Sequence, residues 1–235
     1  EQDERRKALY GNVLSDIKQA VEERKMVLNA SQYLEETILR SSIETGMEAI
    51  AFARNLAALE RTMANPESDK VDIVEMKQQL VEFSKDFYKD YNPPTDKKIT
   101  KAMIGLLISS LDDEFLPSFV IEVKNKYQGD VDKYVDKCFK KSFITDQVKF
   151  LAFMEDPSLK KLRKDPVYKA ALDARLYFEL QGRLADANSD FDRARRLYLK
   201  GLIEMNPGID FYSDANSTMR MNYGIVGDYI PRDAV

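Results

Sequence analysis

The sequence predicts an all-α protein, a multi-helix bundle or array that ends in a short β segment, and three observations carry that prediction. Apolar residues recur at helical spacing in one segment after another. Pro, Gly, Asn and Asp stand where those segments begin and end. The period changes only near the end, where Thr218, Met219, Arg220, Met221, Asn222 and Tyr223 alternate in type and Gly224, Gly227 and Pro231 punctuate the remaining residues.

Taken in order, Glu4 to Leu28 places Leu9, Val13, Ile17, Ala20, Val21 and Leu28 on one stripe, and Ser31 to Ala64 is a second, longer periodic stretch closed by Asn65-Pro66. These two are expected to form an antiparallel pair. Asp69 to Tyr91 repeats the pattern with Ile73, Met76, Leu80, Phe83 and Phe87. Asn92-Pro93-Pro94 stops it, because proline has no N–H to donate and biases the residue before it away from helix. This is the one candidate subdomain joint, near 92–95. A more apolar helix is expected from Asp96 to about Asp112, followed by shorter ones over Glu114 to Tyr127, with Pro117 near its start, Asp130 to Lys140, and Thr145 to Glu155. Asp165-Pro166 leads a long segment from Val167 to Met205, and Gly129-Asp130 and Asp156-Pro157-Ser158 supply the turns and caps between helices.

A lone alternating segment exposes an unpaired edge, and even a single closed hairpin is marginal in water. The sheet to which 218–223 would belong is therefore expected outside this chain, which makes the chain a piece of a larger protein: a helical domain over 1–212 and a β start over 213–235.

The tail also carries a resemblance. Asp214-Ala215-Asn216, Thr218, Arg220, Tyr223-Gly224, Val226, Tyr229 and Pro231-Arg232-Asp233-Ala234 resemble the segment that re-enters the second β-barrel in bacterial serine dipeptidyl-peptidases of the dipeptidyl-peptidase seven and eleven type. Leu116-Pro117-Ser118-Phe119, Lys126-Tyr127-Gln128-Gly129-Asp130 and Ala194-Arg195-Arg196-Leu197-Tyr198 are similar to the helical part of the same enzymes. The resemblance implies a chymotrypsin-like double barrel with this helical domain inserted, and 213–235 as the truncated start of the second barrel. It also implies that the catalytic His and Asp lie in the first barrel and the catalytic Ser in a later Gly-rich segment, neither of which is in this chain. The segment with the Asn that helps hold a substrate's free amino group contains a Trp, and this chain has none. No catalytic, substrate-binding or metal residue is assigned, and no cofactor is implied. The remaining role is a cap that covers the cleft of a periplasmic or secreted exopeptidase, hinges over it and fixes the dipeptide register on a peptide substrate. The resemblance leaves room for a homodimer of the parent enzyme.

Composition limits the chemistry independently. Among 235 residues there is no His, which removes the commonest general base and metal ligand and any Ser-His-Asp arrangement. This chain alone is expected to be inactive. Asp and Glu total 40 against 36 Lys and Arg, a balance that argues against nucleic acid as a partner. The longest apolar run, Ala102 to Leu111, falls short of a membrane span, which needs about 20 residues. Cys138 is the only cysteine; it shares an apolar helical face with Val131, Tyr134, Val135 and Phe139 and reads as a buried thiol.

Asp186-Ala187-Asn188-Ser189-Asp190 begins like a calcium loop, but Phe191 stands where Gly is needed and Leu197 where a bidentate Glu is needed. Asp112-Asp113-Glu114 and Asp130, Asp132 and Asp136 read as carboxylates at helix N-termini. Glu22-Glu23 and Glu35-Glu36 are adjacent in sequence and so diverge around a helix. The aromatic residues from Tyr168 to Tyr198 fall at core spacing. One alternative remains: Phe178, Gly182, Ala185, Ala194, Tyr198, Gly201 and Asn206-Pro207 approach the spacing of a tetratricopeptide repeat, a helix pair of about 34 residues, which would make this a non-catalytic interaction module.

Overall fold

The structure, a computed structural model, describes residues 2–39, 46–65, 67, 70–211, 219, 221 and 223–228. Twelve α-helices are formed among the described residues: α1 Gln2–Tyr10, α2 Val13–Leu34, α3 Glu48–Ala53, α4 Leu56–Ala64, α5 Lys70–Asp90, α6 Pro93–Ser110, α7 Ser118–Lys126, α8 Val131–Lys141, α9 Gln147–Glu155, α10 Leu159–Leu162, α11 Pro166–Leu172 and α12 Arg175–Met205. A π turn, Glu35–Leu39, continues α2, and a 3-10 turn, Asp113–Phe115, precedes α7. The all-α expectation holds. No helix among the described residues is long and apolar enough to cross a membrane.

Two architectures share the chain. The first is a hairpin of α2 and α12, the most extensive helix pairing in the molecule. The order of its contacts makes it antiparallel: Tyr10 Oη donates to Glu204, Arg183 pairs with Glu23 at 2.7 Å, and Tyr177 Oη reaches Glu35 at 3.5 Å. Its seam repeats every seven residues, with Val13, Ala20, Val27 and Leu34 buried on α2 and Leu180, Ala187 and Ala194 on α12. Gly201 takes the next seventh place, 3.5 Å from the Tyr10 ring by its missing Cβ. Alanine and glycine at this spacing let two backbones approach closely. The 31 residues of α12 reach about 46 Å.

The second is an array of α3 to α11 around one apolar core, to which the near ends of α2 and α12 add Val27, Leu34 and Leu180. Phe52 lies at its centre, stacked on Phe87 with centroids 4.0 Å apart and edge-on to Phe150 at 5.4 Å. Both Phe150 and Tyr168 are fully buried. A helix as short as α3 cannot persist on its own, and its buried N-terminal N–H groups need an acceptor. Asp96, from the first turn of α6, supplies it: its carboxylate accepts from Glu48 N at 2.9 Å, Ala49 N at 3.1 Å and Tyr91 Oη at 2.9 Å. Asp165 caps its own helix through Val167 N and Tyr168 N and also accepts from Ser142 Oγ and Phe143 N.

Several expectations change on folding. The stretch 31–64 is not one helix: it passes from α2 through the π turn to the separate α3 and α4, and α2 pairs with α12 instead of with it. Residues 40–45 and Pro66 lie outside the described residues. The first segment breaks at Gly11-Asn12, and its inner stripe contains Val27, while Leu9, Val21 and Leu28 are exposed because a two-helix seam covers only a narrow face. Asn92 caps α6 and Pro93-Pro94 form its first turn, so α6 starts three residues before Asp96; proline is tolerated there because that N–H has no helical partner anyway. Likewise α7 begins at Ser118, directly after Pro117, and the segment from Val167 divides into α11 and α12 at Asp173-Ala174.

The tetratricopeptide alternative fails, since 178–205 lies within one uninterrupted helix where that repeat needs a helix pair. Phe178 is 62% exposed and Tyr198 41%, so core packing accounts for Tyr168 but not for every aromatic residue along α12. Of the alternating segment, Thr218, Arg220 and Asn222 lie outside the described residues; Met219, Met221 and Tyr223 form no strand and are almost fully exposed.

Candidate functional site

A groove of about 760 Å³ lies on the array, where α7, α8, α11 and the start of α12 meet. Its walls are set by two local devices. The Gln128-Gly129 turn takes positive φ at both residues, 54° and 80°, which ends α7 and redirects the chain into α8, and Gly129 N donates to Val123 O at 3.0 Å. At the other wall, Asp173 of the α11–α12 turn caps α7 from 54 residues away, accepting from Ser118 Oγ at 2.6 and 2.7 Å and from Phe119 N at 2.8 Å.

The floor is apolar and aromatic: Phe119, Tyr134 and Cys138 are buried there, and Tyr127 meets Tyr134 edge-to-face at 5.3 Å. The rim is cationic, with Lys137, Lys141, Lys164, Lys169 and Arg175 against Glu122 and Asp173. Glu122 is bound to Lys126 at 3.1 Å, Lys137 donates to the Tyr127 hydroxyl at 2.8 Å, and Arg175 meets Glu179 at 3.4 Å. A second concavity of about 470 Å³ continues from the first across the shared Lys141 and Lys164 and adds Lys149 and Lys161.

These groups are not set to react. Ser118 faces a carboxylate but no imidazole, and an aspartate already holding a helix N-terminus is too weak a base to activate an alcohol. Burial pushes the Cys138 thiol up to about 11, opposite to the shift that makes a thiolate nucleophile. Burial likewise raises the Asp96 and Asp165 carboxyls, against the hydrogen bonds that favour their ionised forms.

The acidic clusters serve packing. Asp130 caps α8 through Lys133 N at 2.9 Å, while Asp132 and Asp136 reach across to α6 and pair with Lys101 at 2.6 and 2.8 Å, a contact their position at a helix start did not reveal. Asp113 pairs with Lys124 and Glu114 with Arg183. Residues 186–190 lie in mid-helix. Reading by sequence alone missed Asp96 and Asp173 as acceptors for other helices, and missed the cationic rim; the density of Lys between 133 and 169 was the available signal.

A different surface lies at the tip of the hairpin. Tyr10, Leu14, Tyr198 and Met205 line a cavity of about 630 Å³ there, and Leu14 and Met205 are 66% and 77% exposed.

The model of the family described as peptidase S46 matches residues 1–235. The chain is 32% identical to the Asp/Glu-specific dipeptidyl-peptidase of Porphyromonas gingivalis over 227 residues, covering 96% of this chain and 31% of that protein. It is also 32% identical to dipeptidyl-peptidase 7 of the same organism over 234 residues, covering 96% of this chain and 30% of that one. It thus spans about a third of the length of the curated relatives it matches. Among solved structures, DPP11 of Porphyromonas endodontalis in complex with the dipeptide Arg-Glu superposes with a TM-score of 0.57 at 24% identity, over 97% of this chain and 32% of that one. That likeness concerns the fold.

Proposed function

This chain belongs to the peptidase S46 family, and from that premise we propose that it is the helical cap of a serine dipeptidyl-peptidase that removes dipeptides from the N-termini of peptides. One observation carries the reading: proteins named as dipeptidyl-peptidases match nearly the whole chain, while the chain spans only about a third of their length. With no His here, a serine triad has to be completed by other parts of the parent enzyme. In this reading the cap is non-catalytic, 213–235 starts the second β-barrel, and the enzyme works in the periplasm or outside the cell on peptide substrates, alone or as a homodimer.

The hairpin suits the role. Because α2 and α12 run antiparallel, Tyr10 and Glu204 meet at one end and the array stands at the other, about 30 Å away by helix rise, as a lid on a stem. The π turn at the base of the stem, next to the α11–α12 break, is where such a lid would bend. Covering the cleft limits how far a substrate's amino end extends, so that cleavage falls two residues in.

The test is a full-length parent in which Gly11–Met205 is replaced by a short Gly/Ser linker, since Tyr10 and Asn206 flank the point where the hairpin closes. In a variant first shown to be folded, a peptide of about ten residues should release products other than dipeptides, and a dipeptidyl reporter should be cleaved less efficiently. Dipeptide-only release at full efficiency would sink the cap reading.

A further inference from the structure

We propose that the groove between α7, α8 and α11 is a docking groove for acidic polypeptide segments. The proposal stands on charge and on surface chemistry, and it holds whether or not the parent protein is a dipeptidyl-peptidase.

The chain as a whole is acidic, with a formal charge of −4, yet this groove is ringed by five cations and two carboxylates. Neither carboxylate is free to neutralise the rim: Glu122 is held by Lys126, and Asp173 is occupied by the start of α7. Among the described residues, Lys141, Lys164 and Lys169, and Lys161 in the adjoining concavity, form no ion pair. Lys97, Lys101 and Lys124, on the same array, are each neutralised by a carboxylate. Like charges left together without counter-ions cost stability, and a polyanion removes that cost.

The form of the site selects among anions. The rim is built mainly from ammonium groups on flexible stems spread over two joined concavities; its one guanidinium, Arg175, is exposed and paired with Glu179, so no buried fork grips a compact phosphate bidentately. That arrangement matches an extended chain, whose carboxylates on alternate residues recur about every 7 Å. The aromatic floor matches the apolar side chains between them. A nucleic acid fits less well, because base stacking needs an open ring face. Tyr134 is buried, and Tyr127 is packed against it edge-to-face and held at its hydroxyl by Lys137.

The probe is a fluorescein-labelled peptide of about ten residues, half of them Asp or Glu, titrated with this chain at about 50 mM salt and followed by anisotropy. Its counterpart with Asn and Gln at the same positions should bind about tenfold or more weakly, and the acidic peptide should be released as salt rises. Lys141→Glu/Lys164→Glu, at the junction of the two concavities, should weaken binding about tenfold or more, and Lys141→Arg/Lys164→Arg should retain it. Lys18→Glu/Lys200→Glu makes the same change in net charge on the hairpin and should leave binding within about twofold. Circular dichroism checks that each variant is folded. The proposal is overturned if the acidic peptide does not bind, if the groove and hairpin reversals weaken binding equally, or if a single-stranded oligonucleotide of similar charge binds more tightly.

Discussion

The hairpin and the array hold themselves together by opposite means. In the array, large side chains converge from many helices: Phe52 alone meets Phe83, Phe87, Tyr88 and Phe150. Short helices such as α3 persist there because distant carboxylates satisfy their ends. In the hairpin, two long helices meet along one narrow seam where Val and Leu are interspersed with Ala, and most of each helix faces water. Its charged cross-link, Arg183 with Glu23, is solvent-accessible and contributes little, about 0–1 kcal/mol; Arg183 also reaches Glu114 of the array. Removing apolar surface from water is the dominant source of stability, so the array should be the last part to open and the hairpin the first.

The comparison is broken most strongly at the aromatic core. Phe150→Ala should cost about 3–5 kcal/mol in chemical denaturation and loosen the array as a whole. A loss below about 1 kcal/mol would mean that the ring cluster does not hold it. Asp96→Ala comes next: it leaves Glu48 N, Ala49 N and Tyr91 Oη without their acceptor, at about 2–4 kcal/mol, and α3 should lose its amide-exchange protection first. Full protection of α3 in this variant would show that its end finds another partner.

Ala194→Leu acts on the other region. An oversized side chain in the seam should destabilise it by about 1–3 kcal/mol, with faster amide exchange along α2 and α12 and little change around Phe52. Equal loosening of both regions would show that they unfold as one unit.

The smallest effect at neutral pH grows in alkali. Cys138, raised to about 11, and Tyr88, Tyr91, Tyr134 and Tyr168, all raised by burial, belong to the array. A group with a raised folded-state pKa contributes stability that is fully present below its unfolded value, about 8.5 for Cys and about 10 for Tyr, and loses it as pH climbs through the folded one. The melting temperature should therefore fall between about pH 9 and pH 11, and Cys138→Ala should lessen the first part of that fall. A melting temperature that is flat across this window would contradict the burial of these groups.

How much of this was legible depends on the range of the interaction. Asp165-Pro166 announced a capped helix start, and the structure places that cap on Val167 and Tyr168. The buried face of α8 was legible in the same way, from Tyr134, Val135 and Cys138. Asp96 and Asp173 look like ordinary polar residues at helix ends, and nothing near them in sequence indicates that each closes a helix about 50 residues away. The sevenfold spacing of Val13, Ala20, Val27 and Leu34, and of Leu180, Ala187 and Ala194, is present in the sequence as well. Two matching spacings separated by about 150 residues do not identify each other, so the pairing was expected between neighbouring segments instead.

By itself, the sequence determined what is local or compositional: helix as the dominant element, most of the proline and aspartate stops, the lack of any histidine for acid–base chemistry, and a tail resemblance that agrees with the family matched over the whole chain. Backbone sterics, capping and side-chain inventory act within a few residues, so they can be read along the chain. The tertiary structure decided which long helices pair, which aspartates cap which helices, which aromatic residues of α12 are left in water, and that lysines from several helices gather around one groove. Those outcomes depend on removing surface from water in three dimensions, and the free energy of that burial is shared among residues whose separation in sequence carries no trace of it.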